Sequence, residues 1–295
     1  MQLYKLHMSR FVAAALCLAA LPLSSCLVRR RVVTRQGKHD TRPILTATKE
    51  QLIERIRTSF EQVHSFTATL DMTPALGSVY KGEITEFPDV RGYVIFRKPE
   101  DIRIIGLDPV IHTRAFDMVS IGPEFRLLLP SKNRFIEGRN DAPAVSKNKI
   151  ENLRPAAFLQ AMLVFPPDPA TEVPVLEDDT DEEHALYILL ITKKSEGDTI
   201  LLSRAIYFDR LTLQIVRQKA FDAAGGTVSD TRYSNWENHE GVSFPASLDI
   251  NRPVDGYGVV MKLVKIQMNG EVAADKFDLP KPENAQLQVI GAKPK

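Results

Sequence analysis

The feature that most constrains this chain is a long succession of segments in which apolar and polar residues alternate. The first covers residues 65–71 (SFTATLD), and segments of the same kind follow as far as residue 268. A period of two is typical of β-strands, because successive side chains point to opposite faces of a sheet. Most links between the segments are short. Short links favour antiparallel pairing, since a parallel pair needs a crossover connection.

The alternation predicts about a dozen strands. They occupy residues 65–71, 79–87, 90–97, 102–107, 114–121, 125–129, 186–192, 200–208, 214–221, 228–233, 244–251 and 259–268. Turn signals separate several of them, at Glu196-Gly197-Asp198, Gly225-Gly226 and Asp255-Gly256, where glycine supplies the positive φ of a tight hairpin. Because a long twisted sheet curls, we expect a mainly β fold, an incomplete antiparallel β-barrel of about 11–12 strands.

Two segments have the helical period instead. Thr48 and Gln51 have the spacing of a capping box, and apolar residues then recur at positions 52, 53, 56, 60 and 63. The polar face of this helix carries both signs of charge. We therefore expect it to pack on the core, as a lid over the concave side of the sheet, rather than to lie on a membrane. Residues 155–164 (PAAFLQAMLV) predict a short buried helix with proline at its first position.

The N-terminal segment has the anatomy of a secretory signal. Lys5 and Arg10 accompany an apolar run over residues 11–23, which is too short to span a bilayer. Leu23-Ser24-Ser25-Cys26 then completes a bacterial lipobox, in which the thiol of Cys26 is alkylated by a diacylglyceryl group. Two alternatives stay open: a signal peptide with an incidental cysteine, and an uncleaved anchor helix.

These features divide the chain into four parts. We expect a lipoprotein signal peptide (1–25), a basic flexible tether (26–46), one folded domain (47–290) and a short tail (291–295). Beside an anionic bilayer, each basic residue of the tether adds about 1 kcal/mol to membrane binding, although a merely soluble spacer is the alternative. The chain has 2 cysteines, Cys17 in the signal and Cys26, so the mature domain has no free thiol.

Composition and motifs argue against several classes of function. The formal net charge of +1 disfavours a nucleic-acid partner. The sequence has no G-x-S-x-G elbow, H-E-x-x-H, P-loop or G-x-G-x-x-G, and its histidines lack metal-ligand spacing. The acidic residues 177–183 lack the glycine and ligand spacing of a calcium loop and predict a solvated loop. Asp249 with Asp255, or Glu237 with Glu240, can be drawn as a catalytic dyad only from proximity in sequence. We expect neither catalysis nor a cofactor nor a metal.

Four segments resemble the LolA/LolB-like bacterial family, which comprises the periplasmic carrier of outer-membrane lipoproteins, its anchored receptor and related lipid-binding lipoproteins. They are residues 64–68 (HSFTA), 92–99 (GYVIFRKP), 121–130 (IGPEFRLLLP) and 273–282 (AADKFDLPKP), in the family's order and spacing. The resemblance implies an incomplete antiparallel barrel whose apolar cavity is capped by helices and receives acyl chains. It also implies partners of two kinds, the membrane through lipidated Cys26 and the acyl chains of lipids or lipoproteins. Other envelope proteins are a further class of partner.

The chain departs from the carrier at two places. In the carrier an arginine directly before the proline of a strand end latches the lid, whereas here that place belongs to Lys98, with Arg97 one residue earlier. Lysine lacks the planar fork that binds two carbonyls at once. The carrier also lacks a lipobox, which the anchored receptor has. Leu27 after the cysteine differs from the aspartate that resembles an inner-membrane retention signal, so in a two-membrane envelope we expect the outer membrane, facing the periplasm.

If the sheet curls, alternate residues of neighbouring strands line one apolar hollow. The candidates are Phe66, Ala68, Leu70, Val94, Phe96, Ile104, Phe116, Met118, Phe125 and Leu127. The alternative is that these side chains fill the barrel and leave no space for a ligand. Trp236 is expected to be structural, the alternative being an exposed contact for a partner.

The expected function is that of an anchored, non-catalytic lipoprotein that binds acyl chains. The rival hypothesis is a structural or assembly lipoprotein that uses the same fold as a protein-interaction surface.

Overall fold

The computed structural model describes residues 42–78, 80, 82–142, 146–195 and 199–291. The predicted signal, Cys26, most of the tether and the turn at 196–198 lie outside these residues. The larger compact unit comprises Pro43–Thr180 and the chain from Ala185 onward, and the described part of a smaller unit is Arg42 with residues 181–184. Among the described residues, no helix has the length and apolar character needed to cross a bilayer.

Two α-helices and fifteen strands make up the larger unit. The helices are α1 (Lys49–Glu61) and α2 (Pro155–Met162), and short 3-10 turns lie at Pro130–Lys132, Lys149–Asn152 and Ala274–Phe277. The strands are β1 (Ser65–Ser78), β2 (Glu83–Glu86), β3 (Val90–Arg97), β4 (Asp101–Leu107), β5 (Arg114–Ile121), β6 (Glu124–Leu129), β7 (Arg134–Arg139), β8 (Glu172–Thr180), β9 (Ala185–Lys194), β10 (Ile200–Asp209), β11 (Ile215–Phe221), β12 (Thr227–His239), β13 (Val242–Arg252), β14 (Tyr257–Met268) and β15 (Gln286–Ile290).

All the strands belong to one sheet, in the order β15-β7-β6-β5-β4-β3-β1-β14-β13-β12-β11-β10-β9-β8, with β2 attached to β1. Two antiparallel meanders, β3 to β7 and β8 to β14, are joined through β1, which pairs with β3 on one side and β14 on the other. The path ends at β15 and β8, so the sheet is open. The mainly β, incomplete-barrel prediction is therefore confirmed, with one exception to antiparallel pairing: β15 runs parallel to β7.

Helix α1 begins as the sequence predicts. The Thr48 hydroxyl accepts from the Gln51 amide at 3.3 Å, and the Gln51 side-chain oxygen accepts from the Thr48 amide at 2.8 Å, which completes a capping box. Leu52 and Ile56 on the apolar face are 0% and 1% exposed, so this face is part of the core.

Helix α2 is the buried helix expected from its apolar sequence. Pro155 occupies its first turn, and six of its residues are buried. Phe158 packs on the Tyr257 ring with centroids 6.3 Å apart. Burial of so much of a short helix is what stabilises it, since eight isolated residues do not hold a helix in water.

The sequence prediction was wrong at several strands. The segment predicted at 79–87 is shorter, because β1 continues to Ser78 and only Glu83–Glu86 forms β2. Strands β7, β8 and β15 were missed, and β12 extends to His239, beyond its predicted end.

The acidic segment is the clearest correction. Residues 177–180, predicted as part of a solvated loop, belong to β8 and pair with β9 as far as Thr180 and Ala185. Strand β8 is an edge strand, so its polar side chains remain in water while its backbone is paired. The Asp178 carboxylate also accepts two hydrogen bonds from Arg210, at 2.8 and 2.9 Å.

Candidate functional site

The C-terminal end of α1 is held by a lysine from the sheet. Lys98 follows the last residue of β3, and its Nζ donates to the carbonyl oxygens of Phe60 at 2.7 Å and Glu61 at 3.3 Å. The same nitrogen lies 4.3 Å from the centroid of the Phe60 ring. The last turn of α1 has no basic residue of its own, so Lys98 supplies the positive charge that this end of a helix favours. Burial lowers the pKa of Lys98, and the Glu61 carboxylate opposes that effect.

Arg97 has a different role from Lys98. Its guanidinium pairs with Asp101 at 2.7 Å, donates to the carbonyl of Val272 at 3.2 Å and lies over the Phe277 ring. These contacts join the β3–β4 turn to the C-terminal segment. Of the two residues named as a latch, it is therefore Lys98 that reaches α1.

Asn269 is a second contact to this end of α1 that the sequence did not single out. Its Nδ2 donates to the Gln62 carbonyl at 2.8 Å, and its Oδ1 accepts from the His64 amide at 2.8 Å. Its φ of +55° lies in the left-handed region, where asparagine is tolerated better than most residues. An asparagine directly before glycine at a strand end is the only sequence signal for it.

A groove of about 690 Å³ lies between α1 and the strands of the second meander. One wall is the polar side of α1, which includes Gln51, Glu54 and Arg55, and Arg55 Nε donates across to the Leu213 carbonyl at 3.2 Å. The sheet side is more apolar. It includes Phe208, Leu213, Ile215 and Trp236.

A small apolar cavity of about 30 Å³ lies beside this groove, under α1. Ser59, Ile215, Trp236 and Ser243 line both spaces, so the two are adjacent. The other residues of the cavity are mostly apolar: Ile56, Phe60, Val63, Met162, Leu163, Val164, Tyr233, Phe244 and Pro245. The groove and the cavity therefore share a wall beside the seam between α1, the end of α2 and the sheet.

Trp236 forms part of this wall. It is half-buried, and its indole N–H donates to the Ile215 carbonyl at 3.0 Å. Its ring packs on Tyr233, with centroids 6.2 Å apart. Trp236 is therefore held in place by the fold and also borders the groove, and a contact with a partner stays a prediction.

The ten residues predicted to line a hollow lie together on one side of the sheet. Nine of them are buried, with exposures between 0% and 6%, and the half-buried Phe116 packs against the same cluster. Phe66 contacts both Phe96 and Phe244, at centroid distances of 5.2 and 5.6 Å. These side chains share one apolar cluster with residues of both helices and of the second meander.

Another cavity, of about 450 Å³, lies over β5, β6, β7 and β15. Arg126 and Glu137 line it and pair at 3.5 Å, beside Val289 of the edge strand β15. Phe125 is the one predicted hollow residue that borders it.

Both members of one pair drawn as a dyad, Asp249 and Asp255, have an arginine partner. Asp249 pairs with Arg232 at 3.6 Å and Asp255 with Arg252 at 2.5 Å. Within the ranges that the structure describes, no group of three or more His, Cys, Asp or Glu side chains is placed to hold a metal ion.

No protein-family model matches the chain, and no curated protein matches its sequence. Solved structures nevertheless share its fold. A LolA superfamily protein of Nitrosomonas europaea is 11% identical, with a TM-score of 0.51, over 79% of this chain and 99% of that one. A domain from Vibrio parahaemolyticus, described as an outer membrane lipoprotein-sorting protein, is 12% identical, with a TM-score of 0.50, over 77% of this chain and 94% of that one. The chain therefore has the LolA-like fold, a large open antiparallel sheet with two helices.

Proposed function

We propose that this chain is a membrane-anchored bacterial lipoprotein that binds the acyl chains of lipids or lipoproteins and serves their trafficking in the cell envelope. Cys26 is the lipidation site, and the outer membrane facing the periplasm is the location in a two-membrane envelope. The observation that carries the proposal is the groove beside α1, which shares a wall with the small apolar cavity beneath that helix.

Helix α1 is placed to act as a lid, because an acyl chain can take the place of its apolar face on the core. Leu52 and Ile56 are buried against the core, and an acyl chain that replaces them buries a similar area at about 25 cal/mol per Å². The apolar area that the helix exposes on opening and the area that the acyl chain buries are similar, so their free energies nearly cancel. The polar contacts of the helix therefore decide how readily it opens. Those contacts are few: Lys98 and Asn269 at its C-terminal end and Arg55 in its middle.

An acyl chain that enters here continues naturally toward the ten predicted hollow residues. Phe66 contacts Phe244, which lines the cavity under α1, so the seam and the predicted hollow are contiguous. Movement of α1 is then the step that converts a packed core into an acyl-binding space.

The test is uptake of a fluorescent fatty-acyl probe by the purified Cys26→Ser chain. We expect saturable binding in the wild-type background and weaker binding in Ser59→Trp, because Ser59 borders both the groove and the cavity beneath α1. Arg57→Trp is the matched control, since Arg57 lies on the same helix, pairs with Glu54 at 2.7 Å and borders neither space. Equal loss in both variants, or no saturable uptake at all, would contradict the proposal.

The rival function is an assembly lipoprotein that binds other envelope proteins without taking up lipid. The observation that favours it is the packing of the hollow, where Val94, Phe96 and Ile104 are 0% exposed. In that case the Cys26→Ser chain captures a protein partner with an affinity that excess fatty acid does not change. An acyl carrier predicts that fatty acid competes.

A further inference from the structure

Arg154, directly before α2, is a buried arginine in which three of the five N–H donors have no partner among the described residues. The residue is 6% exposed, and its Nη1 donates to the carbonyls of Glu151 at 3.2 Å and Leu153 at 2.9 Å. Nε and Nη2 are both enclosed, and neither has a hydrogen-bond partner among the described residues. Buried polar atoms without partners are rare and call for an explanation such as a bound water or ion.

The two unpaired nitrogens are the ones that matter for ligand recognition. Nε and Nη2 form one edge of the planar guanidinium, and such an edge binds a carboxylate or phosphate through two parallel hydrogen bonds. The opposite side of the group is occupied by backbone carbonyls, so this edge is fixed in orientation. The unpaired edge is therefore held in one orientation, and its geometry matches that of a two-oxygen anion.

A second unpaired donor lies in the same region. The Tyr257 hydroxyl is buried and has no partner within the described part of the chain. Phe158 of α2, the helix that begins directly after Arg154, stacks on the Tyr257 ring with centroids 6.3 Å apart, so the two groups lie in the same part of the core. Burial lowers the pKa of Arg154, as expected for a cation that lacks a counter-ion.

Cations outnumber anions around this position. The positive charge of Arg252 acts against that of Arg154, but Arg252 already pairs with Asp255 at 2.5 Å. The side chain of Lys149 packs on Gly256, where an added Cβ would lie 3.1 Å from the lysine Cε. Glu151 is engaged elsewhere, by Ser146 at 2.7 Å and Asn148 at 3.0 Å. Asp255 already has Arg252 as its partner, and Nε and Nη2 of Arg154 have no partner among the described residues, so an additional anion is electrostatically favourable.

The surroundings of Arg154 are apolar on the side of the sheet core. Its guanidinium lies 4.4 Å from the centroid of Phe125, a predicted hollow residue, and Phe158 stacks on Tyr257. Phe125 belongs to the same buried apolar cluster as Leu52 and Ile56 of α1. A chain bound by its charged end at Arg154 can therefore extend through the core toward α1.

We propose that the Nε/Nη2 edge of Arg154, with the Tyr257 hydroxyl, binds the anionic head group of an amphiphile, a carboxylate or phosphate attached to an acyl chain. The proposal rests on the acyl-binding function proposed above and names the class of its ligand. Binding replaces an uncompensated buried charge by a pair, which offsets the cost of desolvating the head group.

The experiment compares a fluorescent fatty acid with its methyl ester on the full chain carrying Cys26→Ser. We expect the acid to bind at least about 10-fold more tightly than the ester, because a charge-assisted pair of hydrogen bonds is lost in the ester. In Arg154→Met the two affinities should become equal, with the ester unchanged. Arg91→Met is the control: Arg91 pairs at the surface with Asp71, and its loss should leave the ratio unchanged.

The possible outcomes separate this inference from the function on which it rests. Saturable but equal binding of acid and ester to the wild type overturns the Arg154 site and leaves acyl binding intact. Absence of saturable binding for both overturns acyl binding itself. If Arg154→Met does not fold, the ratio of the affinities for acid and ester measured on the wild type still decides. The same ratio in Tyr257→Phe is a second measurement, and we expect it to decrease by less than in Arg154→Met.

Two further ligands identify the source of the anion. Phosphatidic acid should compete with the fatty acid if phosphate head groups also fit, and failure to compete restricts the site to carboxylates. Inorganic phosphate alone should not raise the melting temperature of the wild type. A rise that Arg154→Met abolishes, without any discrimination between acid and ester, would indicate a site for free anions and would overturn the amphiphile proposal.

Discussion

The ammonium nitrogen of Lys98 lies 2.7 Å from the carbonyl oxygen of Phe60, so a residue at the end of β3 completes the last turn of α1. The Glu61 carbonyl, at 3.3 Å, is a second acceptor for the same group. A lysine has no planar fork, but its three donors on one nitrogen can reach two adjacent carbonyls at a helix end. The contact links the helix to the sheet at the position where the family resemblance implied a latch.

Lys98→Met should loosen α1 without unfolding the sheet. Loss of hydrogen bonds to a charged donor is expected to destabilise the docked helix by about 1.5–3 kcal/mol. Hydrogen exchange of the α1 amides should accelerate relative to those of β9, and the acyl probe should associate faster. Lys98→Arg should restore slow exchange, because its fork can also reach two carbonyls.

Lys49→Met is the control for this change, since Lys49 lies on α1 but contacts only the exposed Glu50, at 3.6 Å. Unaltered exchange in Lys98→Met, or equal acceleration in both variants, would show that the contact does not hold the helix.

A buried ion pair ties the C-terminal segment to the sheet. Asp117 is 0% exposed and accepts from Arg103 at 2.8 and 2.9 Å, and Arg103 also donates to the carbonyls of Lys276 and Asp278. Asp117→Ala leaves the Arg103 charge without its partner and should lower the free energy of unfolding by about 3–5 kcal/mol in a urea titration.

The matched control is Asp71→Ala, which breaks the surface pair with Arg91 at 2.9 Å. Exposed ion pairs of this kind contribute less than about 1 kcal/mol to the free energy of unfolding. Similar losses of stability in the two variants would refute the structural role assigned to Asp117.

Alkaline pH should weaken the fold through buried tyrosines. Burial raises the pKa of Tyr257 from 10.0 to about 12, and burial also raises the pKa of Tyr233. The unfolded chain loses these protons more readily, so the stability they contribute is complete below pH 10 and is lost as the pH rises through about 12. At pH 11 Tyr257 alone should account for a loss of stability on the order of 1 kcal/mol.

Urea midpoints at pH 8 and pH 11 measure this effect. Tyr257→Phe should lose less stability over that interval than the wild type, because phenylalanine does not titrate. An equally steep loss in the variant would exclude Tyr257 as a source of the pH dependence.

Membrane attachment should depend on Cys26. Each buried CH₂ of an acyl anchor contributes about 0.8 kcal/mol, so the CH₂ groups of the anchoring chains together exceed the contribution of the basic tether, at about 1 kcal/mol for each basic residue. Cys26→Ser should therefore move the protein from the membrane fraction to the soluble fraction. Persistence of the variant in the membrane pellet would mean that residues 11–23 stay in place as a helical anchor.

Local patterns in the sequence were sufficient for much of the fold. The capping box of Thr48 and Gln51 depends on neighbours three residues apart, and the strands of both meanders follow the period of two. Strand β8 was missed because its many charged residues suggested a loop. It lies at the edge of the sheet, where charged side chains can stay in water while the backbone pairs with one neighbouring strand. Strand β15 was missed because it is short and its partner β7 is distant in sequence.

The contacts of the candidate site were harder to predict, because they join segments that the sequence separates. Arg154 has one sequence signal, a single charge directly before the ten-residue apolar segment 155–164. That pattern marks a charge close to the core, but only the tertiary structure shows that one edge of its guanidinium is unpaired. Asn269 likewise reaches α1 from more than two hundred residues away.

The most direct test of the account is native mass spectrometry of the Cys26→Ser chain, exported to the periplasm with its own signal and purified without added detergent. Acyl binding predicts a population whose mass exceeds that of the polypeptide by one or more lipids, and Ser59→Trp should diminish that population relative to Arg57→Trp. A polypeptide that carries no acyl ligand, and takes up none when fatty acid is added at saturating concentration, would contradict the account.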